Sequence, residues 1–221
     1  MLEALLFDLD GTLLDTDPLH QAIWCEMLAP YGIVVDDALY RQRFSGRLNP
    51  QILAELLPAL PADEALALAE AKEARFRERA GELRPLAGLG ALLDWSDSVG
   101  LKRALVSNAP RANAEFMLQV LGVAERFPLV VLGEELPRAK PDPLPYRTAL
   151  DRLGARAAHS LAFEDSPSGI RSATGAGLST VALATTQSEE TLKALGATLV
   201  IADFEAPALW TLLGSNAPTE R

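Results

Sequence analysis

The chain has 221 residues, of which 49% are hydrophobic and 23% charged, a globular balance with enough apolar material for a core. Its formal net charge of -10 excludes a surface built to neutralise nucleic-acid phosphates, and no apolar run is long enough to span a bilayer. The single cysteine, Cys25, excludes a disulfide framework within the chain and fits a reducing, cytoplasmic setting, where it reads as a buried inert thiol.

In chain order, "ALLFDL" comes first, an apolar run fit for a buried strand, preceded by no basic region or cleavage site of a signal peptide. It ends in Asp8 and Asp10, with Asp15 and Asp17 soon after. From about Asp17 to Ala80 the pattern is helical throughout. Asp17 followed by Pro18 reads as N-cap and first helical residue. Leu19, Ile23, Met27 and Tyr31 continue at four-residue spacing to a stop at Gly32. Asn49 and Pro50 repeat the start signal before "QILAELL". Asp63 is placed to cap "EALALAEAKEARFRERA", where Glu73 and Arg77 can pair on one face, and Gly81 stops it.

Strands and helices then alternate. Residues 88–99 form a helix with Leu89, Leu92, Leu93 and Val99 on one side, followed by "RALVS" ending at Ser107. Residues 112–121 group Phe116, Val120 and Leu121 before a stop at Gly122. "PLVVL", "SLAFE", "STVAL" and "TLVI" end at Leu132, Glu164, Leu183 and Ile201, and the terminal "GSNAPTER" reads as frayed. Strands without clean alternation are covered on both faces, so the fold class expected is α/β, a Rossmann-like parallel sheet between helices. The helical stretch is expected as a small domain at 16–81, inserted after the first strand into a core of 1–15 and 82–221. Helices merely packed on the sheet are the alternative.

Residues two apart in a strand point the same way, so Asp8 and Asp10 face one cavity at the carboxyl end of the sheet, where such sheets bind ligands. "SLAFEDS" ends in Glu164 and Asp165, which would gather four carboxylates at one rim. Two unit charges about 4 Å apart interact by roughly 4 kcal/mol at an effective dielectric of about 20. Several such pairs exceed the stability of a typical domain, about 5–15 kcal/mol. A hard divalent cation with oxygen ligands resolves this, and Mg2+ suits few carboxylates plus a phosphate. The two histidines, His20 and His159, lie far apart and no cysteine cluster exists, which argues against zinc.

Three further motifs point the same way. "LVSNAP" ends a strand in Ser107 and Asn108, whose hydroxyl, amide and following N–H groups can hold phosphate oxygens. "RAKPDP" sets Lys140 before prolines that restrict its backbone. "EDSPSGIRSATGAGL" joins the acidic pair to a helix start that Ser166 or Ser168 can cap. Each alone also has a plainer reading, as a turn, a solvated loop lysine or a strand end.

Together, "DLDGTLLDTDPLH", "SN", "KPDP" and "EDSPSG" resemble the haloacid dehalogenase superfamily, in the branch of β-phosphoglucomutase and phosphoglycolate phosphatase, over nearly the whole chain. The resemblance implies a cap domain over a HAD-like core, with Asp8 as nucleophile forming an aspartyl-phosphate and Asp10 as general acid/base. It implies Mg2+ held by Asp8, the carbonyl of Asp10, and Asp165, with Glu164 close by. Ser107, Asn108 and Lys140 would bind the phosphoryl group, and Thr12 would support the loop after the nucleophile. In the cap, His20, Gly46 and Arg47 would meet the substrate. Mutase relatives carry Arg three residues after the corresponding glycine, where this chain has Asn49, so a phosphatase is favoured over a sugar-phosphate mutase. A dehalogenase would leave Asp10 and the Glu164–Asp165 pair unexplained. A receiver domain phosphorylated on Asp is the non-enzyme alternative, though receivers are shorter and lack the insert. The expected partner is a small phosphorylated metabolite such as a sugar phosphate or phosphoglycolate, with no nucleic acid, membrane or obligate protein partner.

Overall fold

All six apolar runs become strands of one sheet. In the computed structural model, which describes residues 2–214, they are β1 (Ala4–Phe7), β2 (Lys102–Ser107), β3 (Val130–Leu132), β4 (Ser160–Glu164), β5 (Ser179–Leu183) and β6 (Leu199–Ile201). Their order is β3-β2-β1-β4-β5-β6 and every pairing is parallel. The terminal "GSNAPTER" lies outside the described residues apart from Gly214.

Both faces of the sheet are buried, which explains the missing alternation. Leu5 and Phe7 point into one apolar cluster, with helices α5 (Leu89–Ser98), α6 (Arg111–Val120) and α10 (Pro207–Leu212). Ala4 and Leu6 point into the other, with α7 (Leu144–Leu153) and α8 (Pro167–Gly175); α9 (Glu189–Ala194) packs against α8 and β5. Phe7 stacks on Phe163 of the neighbouring strand at 4.7 Å, worth about 0.5–1.5 kcal/mol beyond its buried area. This anchors β1 and β4, the two strands that carry the acidic residues, side by side.

The stretch between β1 and β2 begins with four helices: α1 (Asp17–Leu28), α2 (Asp37–Arg43), α3 (Asn49–Leu56) and α4 (Ala62–Arg79). They enclose an apolar centre of their own, including Trp24, Tyr40, Phe44 and Leu53. Ile23 of α1 and Phe76 of α4 instead join the cluster on the sheet. The two chain crossings lie side by side, with Leu86 N–H donating to the Leu13 carbonyl at 2.9 Å.

Local details differ from the sequence reading. Helix α1 stops at Leu28 and a 3-10 turn over Ala29–Tyr31 reaches Gly32; the ring of Pro30 removes the N–H that would continue the helix. Asp17, Asn49 and Asp63 lie within the first helical turns, while Thr16, Leu48 and Pro61 hold the N-cap positions. Helix α6 buries Ala114, Met117 and Leu118 more deeply than Phe116, Val120 and Leu121. Val99 lies past the end of α5 and is exposed.

Candidate active site

The chain leaves β1 without breaking its pairing, as Asp8 N–H donates to the Phe163 carbonyl at 3.0 Å. Asp8 therefore runs alongside Glu164, the last residue of β4. Beyond Asp8 the backbone folds tightly, with Gly11 N–H on the Leu14 carbonyl at 2.9 Å. Gly11 has φ +76°, and a Cβ there would collide with the Asp165 carboxylate. Only glycine lets the loop pass this close. Thr12 Oγ1 donates to Asp165 Oδ1 at 3.3 Å, so it supports an acidic residue of the other strand as well as its own loop. Asp165 leads into α8, where Ser166 is the cap and accepts from Gly169 N–H at 3.1 Å.

Asp8, Glu164 and Asp165 each place an oxygen within 4.8 Å of the others, all three buried. Lys140 is 132 residues from Asp8 in sequence, yet its Nζ donates to Asp8 at 2.6 Å and to Glu164 at 2.5 Å. Glu164 also accepts from Tyr146 Oη at 2.7 Å. Burial drives the Asp8 carboxyl well above the usual range; Lys140 pulls it down while Glu164 and Asp10 push it up. Asp165 is raised for the same first reason, reinforced by Asp17, Asp8 and Glu164. Lys140 is raised, since its two carboxylate partners outweigh its burial.

Three buried carboxylates against one ammonium leave two negative charges, which a single divalent cation balances. The donors are all hard oxygens, so the residues fit Mg2+. Glu164 is the most committed of the three, because Lys140, Tyr146, Ser166 and the Asp165 N–H already use its oxygens. Asp15, by contrast, is exposed and stands apart from the cluster.

Asp10 lies at the same rim, but its side chain turns to the helical segment. Its Oδ1 accepts from Thr16 Oγ1 at 2.8 Å and lies 3.2 Å from His20 Nε2. Burial would raise this carboxyl, but His20, Thr16 and Lys72 hold it below the usual range. The two sequence neighbours thus carry opposite perturbations: Asp8 shares an ammonium with other acids, and Asp10 is served by donors.

Ser107 ends β2 and is buried; its Oγ accepts from Ala109 N–H at 3.0 Å, which leaves the hydroxyl proton to give. The Asn108 amide is already spent. Its nitrogen donates to the carbonyls of Lys140 (3.2 Å) and Gly46 (3.0 Å), and its oxygen accepts from Lys140 N–H. Asn108 therefore fixes the Lys140 loop and the Gly46 turn against each other, while the Ala109 N–H is taken by Ser107 Oγ and the Arg111 N–H by Glu134 Oε1 at 2.8 Å.

A cavity of about 800 Å³ lies between the helical segment and the sheet edge, with Asp8, Asp10, Arg47, Glu73, Asn113 and Lys140 among its walls. Gly46 meets the sheet edge through its carbonyl, which accepts from Asn108 and from Ser168 Oγ at 2.6 Å. It has φ +69°, and a Cβ would lie 2.5 Å from Ser166 Oγ. Gly46→Ala is expected to part the segment from the rim and cut kcat/KM about tenfold or more; an unchanged kcat/KM would remove this contact from the account. Arg47 lines the cavity with Nη1 on Glu55 at 2.7 Å, and Arg43 pairs with the same carboxylate.

Several site residues escaped sequence reasoning. Lys72 is buried in α4, with Nζ 2.8 Å from both His20 Nδ1 and Glu73 Oε1. Glu73 does not pair with Arg77; it accepts from Lys72, Asn49 and Asn113. Burial works against its charge, but the Lys72 ammonium, the nearby His20 and the hydrogen bonds from Lys72 and Asn49 hold it below the usual range. Thr186 Oγ1 stands between the carboxylates of Asp17 and Asp165. Four-residue spacing of apolar positions gave no sign of these residues; the adjacent charges Lys72 and Glu73 flanked by alanines were the available hint.

The family described as haloacid dehalogenase-like hydrolase matches residues 2–177. N-acetylmuramic acid 6-phosphate phosphatase of Pseudomonas aeruginosa is 36% identical over 184 residues, covering 82% of this chain and 81% of that one. Phosphoglycolate phosphatase of Rhodospirillum rubrum is 34% identical over 225 residues, covering 95% and 91%. The crystal structure of β-phosphoglucomutase from Clostridium difficile superposes with a TM-score of 0.83 at 25% identity, covering 92% of each chain. The chain belongs to the haloacid dehalogenase-like hydrolases. It is an enzyme of phosphatase type within that family. No helix among the described residues is long and apolar enough to cross a membrane.

Proposed function

We propose that this chain is a Mg2+-dependent phosphomonoester hydrolase that acts on a small phosphorylated metabolite through an aspartyl-phosphate on Asp8. One observation carries the reading: Asp8, Asp165 and the Lys140 ammonium meet at a buried point, beside a cavity where Asp10 is bound to His20. Asp8 attacks phosphorus and the bond to the leaving oxygen breaks, with Asp10 giving that oxygen its proton. Water then attacks the phosphorus, gives a proton to Asp10, and releases phosphate from Asp8. The donors around Asp10 favour its ionised form, the form that takes the proton from water.

Lys140 and the Ser107 hydroxyl hold the phosphoryl oxygens, with Asn108 fixing the Lys140 loop behind them, and this fixed polar surround supplies much of the rate. Mg2+ would be held by Asp8, Asp165 and the Asp10 carbonyl with Glu164 close by, and when bound it adds positive charge against the same oxygens. Residues 16–81 act as a cap on a core of 1–15 and 82–221, excluding water from the first half-reaction. In it, His20, Gly46 and Arg47 face the substrate.

The names of the relatives point to sugar phosphates or phosphoglycolate as substrates, and the cavity is of small-molecule size. The hydrolase is favoured over a mutase because the position three residues after Gly46 holds Asn49, whose amide donates to Glu73, where the mutase relatives carry Arg. The single cysteine supports a cytoplasmic setting. A screen of phosphorylated metabolites with Mg2+ is expected to release free phosphate from at least one of them and to lose that activity with chelator. Isomerised product without free phosphate would move the chain to the mutases. Asp10→Ala is expected to slow both half-reactions by about 10²–10⁴, and wild-type rates would end its proton-transfer role.

A further inference from the structure

Asp10 stands on the core, yet its hydrogen-bonding partner His20 stands on the cap. We propose that Asn113 and Glu73 are positioning residues for Asp10: their contact latches cap to core and, through Lys72 and His20, orients the carboxylate that moves the proton. This inference rests on the phosphatase reading above.

The latch begins on α6 of the core. Asn113 is 3% exposed, and its amide is used at both ends by one cap helix. Its Nδ2 donates to Glu73 Oε2, and its Oδ1 accepts from Arg77 Nη1 at 2.6 Å, one turn further along α4. The other Glu73 oxygen accepts from Asn49 Nδ2 at 2.5 Å and from Lys72 Nζ at 2.8 Å. Glu73 thus has no oxygen to spare, and all its partners constrain where Lys72 points.

The next two links fix a tautomer. An ammonium donates and cannot accept, so His20 Nδ1, 2.8 Å from Lys72 Nζ, is the acceptor. Nε2 then carries the ring proton and donates to Asp10 Oδ1 at 3.2 Å. The imidazole is held flat on Phe76, with ring centroids 4.1 Å apart and planes 9° apart. Glu73, Lys72, Phe76 and His20 all belong to the cap; Phe76 packs into the apolar cluster of the core, and Asn113 makes the hydrogen bonds that tie the group to α6. Seating the cap on Asn113 and presenting a donor to Asp10 are therefore one event.

The test pairs kinetics with a spectroscopic readout. Asn113→Asp sets a carboxylate against Glu73, whereas the double variant Glu73→Gln with Asn113→Asp restores one donor and one acceptor in reversed order. With p-nitrophenyl phosphate and Mg2+, Asn113→Asp is expected to lower kcat about 10- to 100-fold with KM within about threefold. The double variant should recover most of that loss. A kcat for Asn113→Asp within twofold of wild type, or a double variant no better than the single, would overturn the latch. If Asn113→Asp does not fold, Asn113→Ala, which adds no charge, must show the same fall in kcat.

The second readout needs no turnover. The chain has only two histidines, so imidazole nitrogen NMR resolves His20 once His159→Asn assigns the other. Wild type is expected to show His20 with the proton on Nε2. Asn113→Ala should give mixed tautomers, and an unchanged spectrum would refute the coupling. A wild type that hydrolyses no phosphomonoester while its His20 tautomer responds to Asn113→Ala would sink the phosphatase reading and leave the latch standing.

Discussion

Asp8→Asn is expected to bring phosphate release at least about 10⁴ below wild type, because it removes the oxygen that bonds to phosphorus and leaves only binding and electrostatics. The same change is expected to stabilise the metal-free protein. Asp8 is buried, and burial, Glu164 and Asp10 all disfavour its charge, with Lys140 alone opposing them. A neutral amide of the same shape relieves that burden while Lys140 keeps Glu164 as a partner at 2.5 Å. The gain should be on the order of 1 kcal/mol, read as a higher melting temperature in chelator. Added Mg2+ should raise the wild-type melting temperature more than that of the variant, since binding to the folded state alone stabilises it. More than about 1% residual activity would remove Asp8 as nucleophile. A variant less stable than wild type in chelator would contradict the charge balance drawn for this site.

Lys140→Met is expected to have the largest effect on stability. The ammonium is 3% exposed and lies between two buried carboxylates, with the Tyr146 ring 5.0 Å away. Removing one partner from such a group strands the opposite charges and costs about 3–5 kcal/mol, a large part of a typical margin of about 5–15 kcal/mol. Urea unfolding in chelator should show this loss, and Mg2+ should return part of it by screening the same carboxylates. Turnover should fall by about 10²–10³ even where the variant is folded, since a fixed charge facing the phosphoryl group is gone. Lys140→Arg should rescue poorly, because a planar guanidinium cannot replace a compact ammonium between Asp8 and Glu164. An unfolding free energy within about 1 kcal/mol of wild type for Lys140→Met would show that the acids are neutralised some other way.

The strands were readable because burial on both faces leaves continuous apolar runs. Asp8, Asp10, Glu164 and Asp165 were readable because so many acids gathered at one rim are costly without a cation, although any one of them also reads as a strand end before a turn. Lys140 was marked by its place before the prolines of "RAKPDP", but its pairing with Asp8, 132 residues away in sequence, is not written in any local pattern. Lys72, Glu73 and Asn113 were hidden for a different reason. In "LAEAKEARFRERA" charged residues on an amphipathic helix read as a solvated face, and Glu73 with Arg77 reads as a surface pair. Packing α4 against α6 buries that face instead, and both residues turn to Asn113. The burial comes from a long-range contact that local periodicity does not encode. Helix ends failed for a local reason, since an Asp or Asn beside a proline can serve inside the first turn as well as at the cap.

The hydrogen bond from Leu86 to Leu13 joins the outgoing and returning chains at a single line. For residues 16–81 acting as the proposed cap, that line would be the axis of opening. Opening would then have to break the hydrogen bonds from Asn108 and Ser168 to the Gly46 carbonyl, which makes this one peptide oxygen the clasp opposite the axis.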